Sequence, residues 1–287
     1  MVDESPSEVR RRERNPIGAL TRVLSAMVEI DADSVGVREL ARHLDSPPSS
    51  LQRTLEAAQE SGLVTSSPSG GWELGWEFFR LSTLAQRRRP FAAAGPVLER
   101  LRDVSGETAV LTVYDPGRRR RMFVDSAASH HSIRFVPELF SWMPMHAGAT
   151  ALAILAHRSE TERQAVYDDG MPSLTPRTLV VPGDIERALA GVRELGYSVS
   201  DDEVNLGAVA IAAPIRTLAG VTSAIGVILP RQRFEPIARE GLAVLVREAA
   251  GELEHRFGDP SESLRALVGG ANRDERQDPH DELKRNA

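Results

Sequence analysis

Four polar side chains stand close together in the first turns of a predicted helix: Ser49, Ser50, Gln52 and Arg53. The apolar positions of this helix share another face, so these four side chains point away from the core. Arginine hydrogen-bonds O6 and N7 of guanine, glutamine hydrogen-bonds N6 and N7 of adenine, and serine hydroxyls contact phosphate. Arg38 begins the preceding predicted helix and is expected to meet a phosphate. The pattern predicts a helix that reads double-stranded DNA, with a merely solvated helix face as the alternative.

A second group of residues is suited to a small ligand. Ala149 and Thr150 open an apolar stretch, 147–157, that is predicted to be a buried helix. The free backbone amides and positive end of a helix N-terminus suit a carboxylate or carbonyl group. Trp142 and Met143 precede this helix and are placed to close a pocket over it, although packing in an ordinary core explains them equally well.

Other kinds of chemistry find little support. The chain has no cysteine, which excludes disulfides, cysteine nucleophiles and thiolate metal sites. His130 and His131 are neighbours on an extended segment and point to opposite faces, which disfavours shared metal binding. His146 is interpreted as a structural residue that hydrogen-bonds backbone, rather than as a catalytic or metal-binding one. No nucleophile elbow, P-loop or dinucleotide fingerprint is present, so we expect no enzyme, no metal and no cofactor.

The charge distribution does not by itself indicate a nucleic-acid partner. The formal net charge is -6, and residues 1–90 hold 12 Arg against 13 Asp plus Glu. DNA binding must therefore depend on where individual arginines sit. The N-terminus does not resemble a signal peptide, and no apolar run approaches the length of a membrane span. We expect a cytoplasmic protein with no membrane partner.

The elements that must position the first group lie within residues 15–75. Leu20, Val23, Leu24, Met27 and Val28 recur with the period of an amphipathic helix. A short second helix follows at 37–44, and a third helix runs to Gly62, with Ser46 placed to cap it. Strands at 63–65 and 72–74, joined by a Pro-Ser-Gly-Gly turn, form a hairpin. Three helices and a hairpin are typical of a winged helix-turn-helix.

The rest of the chain mixes strands with separate helices, which favours an α+β domain around an antiparallel sheet. Arginines 118–121 are interpreted as a solubilising loop at a hairpin tip. The predicted strands are 107–114, 121–127, 197–201, 208–216 and 221–229, and the predicted helices are 91–104, 147–157, 160–168, 184–195 and 235–257.

With these elements in place, the chain resembles the IclR family of bacterial regulators. The resemblance covers about residues 16–257, and its strength lies in the ordered set of motifs. The matching segments are VRELARHL at 37–44, SSLQRTL at 49–55, GLV at 62–64, GWELG at 71–75, GET at 106–108, MHA at 145–147, TAL at 150–152, LTPRT at 174–178, GYSVSDDE at 196–203 and AAPI at 212–215.

The resemblance implies a winged helix-turn-helix joined by a linker helix to a GAF-like effector domain. It implies a homodimer or dimer of dimers that binds operator DNA and a small-molecule effector, and most simply a repressor of a catabolic operon. It places Asp202 at the edge of the effector pocket, with a solvated loop as the alternative, and Gly226 and Ile228 on the wall opposite Ala149 and Thr150. The expected divisions are a disordered arm at 1–14, the DNA-binding domain at 15–75, the linker helix at 76–90, the effector domain at 91–258 and a disordered tail at 259–287.

The chain departs from the family pattern at both predicted sites. Pro48 replaces a common lysine, and Ser66, Ser67 and Glu73 stand where the wing is often basic. These changes leave open a second interpretation, a ligand sensor with weakened DNA binding. In the predicted pocket fewer hydroxyl groups are present, which favours an apolar effector, such as an aromatic compound, over a small and very polar one.

Overall fold

The fold was analysed in a computed structural model, which describes residues 15–30, 32–68, 70–87, 91–217, 220–235 and 239–258. The chain divides into two compact units, 1–88 and 89–287, hereafter the N-terminal and C-terminal units. The predicted arm at 1–14, the predicted tail at 259–287 and the last three residues of the predicted linker helix lie outside the described residues.

The N-terminal unit contains four helices among its described residues: α1 Pro16–Glu29, α2 Val37–His43, α3 Pro48–Glu60 and α4 Trp76–Arg87. The side chain of Asn15 caps α1 by accepting a hydrogen bond of 3.0 Å from the Gly18 amide. The apolar faces of the first three helices meet in one core, in which Val23, Leu40 and Leu55 are 0% exposed. Their spacing is what the amphipathic pattern predicts.

A hairpin completes the N-terminal unit, with β1 Val64–Ser66 antiparallel to β2 Trp72–Leu74. Trp72 packs into the core and exchanges two backbone hydrogen bonds with Val35. Gly75 follows at a point of close approach, since a Cβ atom there would lie 2.1 Å from the Gly62 carbonyl oxygen. The three helices and the wing of a winged helix-turn-helix are therefore both present.

The C-terminal unit is built on an antiparallel sheet of six described strands in the order β5-β4-β3-β8-β7-β6. The long central strands pair over most of their length and are buried on both faces. The strand bounds are β3 Thr108–Asp115, β4 Arg120–Ala127, β5 Met143–Pro144, β6 Ser198–Asp201, β7 Ala208–Thr217 and β8 Gly220–Pro230.

Helices cover both faces of this sheet. The first and last, α5 and α9, pack on one face with Leu111, Ile211 and Ile225. The other three pack against the opposite face, where α6 is buried at every position. The helix bounds are α5 Gly95–Ser105, α6 Ala149–Leu155, α7 Glu160–Asp168, α8 Pro182–Leu195 and α9 Arg239–Gly258. The predicted α+β fold around an antiparallel sheet is confirmed.

Three local predictions differ from the structure. Ser46 does not cap α3, because its hydroxyl donates to the Leu44 carbonyl and the helix begins after Pro47. The buried helix predicted at 147–157 is shorter, since Gly148 has a φ of +91° and α6 starts only after it. Arg121 does not belong to a solubilising loop: it lies in β4 and is 2% exposed.

Candidate functional site

The predicted DNA-reading residues share the first two turns of α3. Leu51, Leu55 and Ala58 turn inward, and Ser49 and Arg53 are exposed while Ser50 and Gln52 are half-buried. Arg38 is exposed near the start of α2. The helix begins with Pro48. Because proline has no N–H, this end of the helix has one backbone donor fewer than it would have with another residue. Whether these residues contact DNA stays a prediction.

Two of these side chains already have partners on α3. The Gln52 amide donates to Glu56 Oε1 at 2.8 Å, and Arg53 Nε donates to the Ser49 carbonyl at 3.4 Å. The Gln52–Glu56 bond must open before Gln52 can pair with adenine in two hydrogen bonds. The Arg53 bond is long at 3.4 Å and costs little to give up, so Arg53 is the better placed of the two for base contact.

The C-terminal unit encloses a cavity of about 330 Å³ beside α6, on the sheet face opposite α5 and α9. Pockets of this size suit small organic ligands, and most of its wall is apolar. The lining residues are Arg121, Phe123, Phe135, Val136, Glu138, Ser141, Met143, Gly148, Ala149, Thr150, Ser200, Val204, Asn205, Ala208, Val209, Ala210 and Ile228.

Four of the six predicted effector-binding residues line this cavity. Met143 comes from β5, Ala149 and Thr150 from the start of α6, and Ile228 from β8. They converge because β5 and β8 belong to one sheet and α6 packs against a face of that sheet. Effector binding by these residues stays a prediction.

The other two predicted residues lie outside the lining. Asp202 has a φ of +63°, and its carboxylate accepts from the Gly207 amide at 2.6 Å and pairs with Arg231. Burial opposes its ionisation, but the Gly207 amide and Arg231 outweigh it and keep the pKa of Asp202 below its usual value. Gly226 packs against β7, where a Cβ atom would lie 2.6 Å from the Ile211 carbonyl oxygen. Asp202 thus shapes a turn and Gly226 permits close strand packing.

Arg121 supplies the cation of the cavity wall. Its Nη2 donates to the Ala147 carbonyl at 3.1 Å, its Nη1 lies 3.6 Å from Met143 Sδ, and its guanidinium lies over the Phe123 ring. Its Nε atom is buried and has no hydrogen-bond partner among the described residues. Burial lowers the pKa of Arg121 to about 10, so the side chain is still charged at neutral pH.

A carboxylate occupies the loop beside the start of α6. Glu203 Oε2 accepts from the Gly148 amide at 3.1 Å, and Ser200 hydrogen-bonds the same side chain. Burial raises the pKa of Glu203, and the neighbouring charge of Asp201 adds to that increase. Glu203 is bonded to Gly148, which lines the cavity, although neither Glu203 nor Asp202 is itself part of the described lining.

Two segments that carry the family resemblance are bonded to each other. The hydroxyl of Thr175 donates to the Asp202 carbonyl at 2.5 Å, and that of Thr178 donates to the Glu203 carbonyl at 2.7 Å. The LTPRT segment therefore holds the turn after β6 in place.

Residues 128–142, the covering segment, connect β4 with β5 and close one side of the cavity. Thr108 donates to the Phe135 carbonyl at 2.8 Å, and Arg233 donates to the Ile133 carbonyl at 2.7 Å while pairing with Glu107. Trp142 is 42% exposed and stacks with Arg118 outside the cavity, so of the two residues expected to close the pocket only Met143 lines it.

The sequence interpretation missed Arg121, Phe123, Phe135 and the loop residues 204–205. For the two residues on β4 the sequence did contain a usable pattern, because alternate residues of a strand share a face. Arg121 and Phe123 are two positions apart at the start of a predicted strand and therefore had to point the same way. The covering segment has no such periodicity, so its contribution could not be predicted.

His146, the remaining histidine considered for catalysis or metal binding, has a structural contact. His146 is 1% exposed, and its Nε2 lies 3.0 Å from the Pro172 carbonyl oxygen, so it ties two loops together. Burial lowers the pKa of His146 and favours the neutral ring. In the part of the chain that the structure describes, no cluster of three or more metal-binding side chains occurs. Nor is any described helix long and apolar enough to cross a membrane.

Comparison with known proteins covers both units. Residues 83–255 match the family model described as bacterial transcriptional regulator IclR C-terminal. The transcriptional repressor IclR of Escherichia coli (strain K12) is 32% identical over 204 residues, which is 69% of this chain and 74% of that protein. The HTH-type transcriptional regulator BhcR of Paracoccus denitrificans (strain Pd 1222) is 32% identical over 244 residues, 83% of this chain and 86% of that protein.

A solved structure shows the same fold. It is an IclR homolog from Microbacterium hydrocarbonoxydans complexed with 4-hydroxybenzoate, which matches with a TM-score of 0.68 and 23% identity. The match covers 89% of this chain and 100% of that one. At 23% identity, this likeness shows a shared architecture.

Proposed function

The chain belongs to the IclR family of bacterial transcriptional regulators, and we propose that it binds operator DNA under the control of a small organic effector held in the C-terminal unit. The observation that carries the proposal is the cavity of about 330 Å³, walled by apolar side chains and a few buried polar groups. A pocket with this composition suits a ligand of low polarity with one or two polar groups. An aromatic acid is consistent with it, and the 4-hydroxybenzoate held by the Microbacterium relative supports that choice.

The N-terminal unit supports the DNA-binding half of the proposal. The exposed polar face at the start of α3 presents Ser49 and Arg53, with Gln52 next to them, as a recognition helix does. Arg38 is the proposed phosphate contact. We propose a cytoplasmic repressor of a catabolic operon, in keeping with the relatives that are named as repressors.

The proposed assembly is a homodimer or a dimer of dimers. Helix α4 supports this, since it carries four exposed apolar side chains, and exposed apolar patches mark interaction surfaces. They are Trp76, Phe79, Leu81 and Leu84, which are 88%, 47%, 48% and 43% exposed. A dimer presents two recognition helices to half-sites one helical turn apart. A ligand that binds two dimer geometries unequally changes that spacing, and it can do so only to the extent of its differential affinity.

Fluorescence anisotropy of the full chain with DNA from upstream of its own gene tests the proposal. We expect binding that is tighter than to random DNA and that weakens steeply with salt, because phosphate contacts release counterions. Arg22→Ala serves as a control, since Arg22 is an exposed arginine of α1 outside the predicted DNA contacts.

A sensor with weakened DNA binding is the second candidate. The Gln52–Glu56 hydrogen bond favours it, because a carboxylate on the reading face opposes the approach of phosphate. If DNA fragments drawn from the whole genome also bind no better than random sequence, with a shallow salt dependence, the second candidate replaces the first.

A further inference from the structure

Arg121 is a buried cation without an acidic partner. It is 2% exposed, and no described aspartate or glutamate forms an ion pair with it. Two other arginines with little exposure differ from Arg121 in this respect. The side chains of Arg158 and Arg163 are 15% and 16% exposed, and each pairs with a glutamate. Proteins rarely leave a buried charge unpaired, because its lost hydration is then uncompensated.

The hydrogen-bonding capacity of Arg121 is also largely unused. A guanidinium has five N–H donors, whereas the described contacts are one carbonyl oxygen and one thioether sulfur. The carbonyl of Ala147 carries only a partial charge and does not neutralise the cation. Glu203, the described carboxylate bonded to Gly148 and Ser200, forms no ion pair with Arg121.

Arg121 is itself one of the residues that line the cavity. Met143 and Gly148, which flank the guanidinium, both line it, and a Cβ atom on Gly148 would lie 3.0 Å from Nη2. The absence of a side chain at Gly148 therefore leaves room beside the cation. Beyond the guanidinium most of the wall is apolar, with Phe123 and Ile228 in one cluster. The other polar residues of the described lining are Glu138, Ser141, Thr150, Ser200 and Asn205.

From this geometry we propose that Arg121 is the anion-binding residue of the cavity, and that its ligand is a monocarboxylate with an apolar body. The assignment rests on the proposed function, in that the cavity is taken to be the effector site. A carboxylate matches the fork of the guanidinium and supplies the missing counter-charge. Arg121 is the one cation among the described lining residues, and most of the wall is apolar, which favours one carboxylate over a dianion such as a phosphate monoester.

A thermal-shift and calorimetric experiment on the full chain tests this assignment. The probes are four acids, 4-hydroxybenzoate, benzoate, phenylacetate and hexanoate, and the neutral amide of each. The variants are Arg121→Met, which keeps the bulk and removes the charge, and Arg118→Met. Arg118 is the matched control, because it stands on the same hairpin but outside the cavity, with its side chain 47% exposed.

We expect at least one acid to bind the wild-type chain on the order of tenfold to a hundredfold more tightly than its amide. Arg121→Met should abolish this preference, Arg118→Met should keep it, and Arg121→Lys should restore part of it. Without ligand, Arg121→Met should melt at or above the wild-type temperature, because an unpaired buried charge is replaced by an apolar side chain. A merely structural arginine would lower that temperature instead.

Three results overturn the assignment: equal binding of an acid and its amide, acid binding that survives Arg121→Met, or no binding of any probe acid by a folded chain. None of these results bears on operator binding by the N-terminal unit, because fluorescence anisotropy measures that binding separately. Conversely, acid binding through Arg121 by a chain that binds no operator would uphold the assignment and refute the regulator.

Discussion

Replacing Gly226 by alanine should destabilise the C-terminal unit strongly. The new Cβ atom would lie 2.6 Å from the Ile211 carbonyl oxygen and 2.9 Å from the Cβ of Ala212. Favourable contacts need about 3.5 Å, so β7 and β8 would have to separate by roughly 0.6 to 0.9 Å at the centre of the sheet. We expect a cost of about 3 kcal/mol, near the upper end for overpacking. At roughly 2 to 4 °C per kcal/mol for a unit of this size, the melting temperature should fall by about 6 to 12 °C.

Gly191→Ala is the matched control for this measurement. It makes the same chemical change in the same unit, inside α8, where a Cβ atom would have no neighbour within 4 Å. Alanine in a helix is favoured over glycine by about 1 kcal/mol, so this variant should melt about 2 to 4 °C higher. Differential scanning calorimetry of the full chain measures both shifts. A Gly226→Ala transition at or above the wild-type temperature would refute the packing argument.

Three further perturbations have defined outcomes. Arg53→Ala should weaken operator binding by roughly 1 to 3 kcal/mol if Arg53 reads a base, and unchanged anisotropy curves would remove it from the interface. Leu55→Ala should destabilise the N-terminal unit by about 2 to 5 kcal/mol, since Leu55 is 0% exposed, and should leave the calorimetric transition of the C-terminal unit in place. Glu203→Gln should raise the melting temperature at neutral pH, because the raised pKa of Glu203 means that its ionised form opposes folding. As the pH falls, Glu203 becomes protonated first in the folded chain, at its raised pKa, and then in the unfolded chain, near 4.5. The higher melting temperature of Glu203→Gln should therefore disappear over this pH range. If the variant still melts higher in acid, the ionised carboxylate is not the cause.

The N-terminal unit was largely predictable because its signals are local. The 3.6-residue period placed Val23, Leu40 and Leu55 in one core, and all three are fully buried. The error at Ser46 concerns a cap: Pro47 occupies the N-cap position instead, and the Ser46 hydroxyl donates to the Leu44 carbonyl. Such choices depend on tertiary surroundings that a sequence pattern does not contain.

The cavity was predictable only where regular elements form it. Thr150 begins a helix and Ile228 sits in a long apolar strand, and both were expected in the wall that they line. Asp202 was placed by resemblance, and the structure uses its carboxylate to hold the following turn through Gly207. Arg121 was assigned to a surface loop because it ends a run of four arginines, although strand alternation with Phe123 indicated the opposite.

The role proposed for Arg121 has a consequence for regulation that stability measurements alone cannot reveal. A ligand at a hundred times its dissociation constant stabilises the folded chain by about 2.7 kcal/mol, whatever it does to DNA binding. It changes DNA affinity only if it binds two dimer geometries unequally. Arg121→Met should therefore leave operator affinity without ligand unchanged, because the residue lies in the C-terminal unit and α3 is intact. We expect the Arg121→Met variant to bind operator normally, to melt no lower than wild type and to stop responding to the acid. This result would show that a single substitution removes ligand sensing and leaves DNA binding intact.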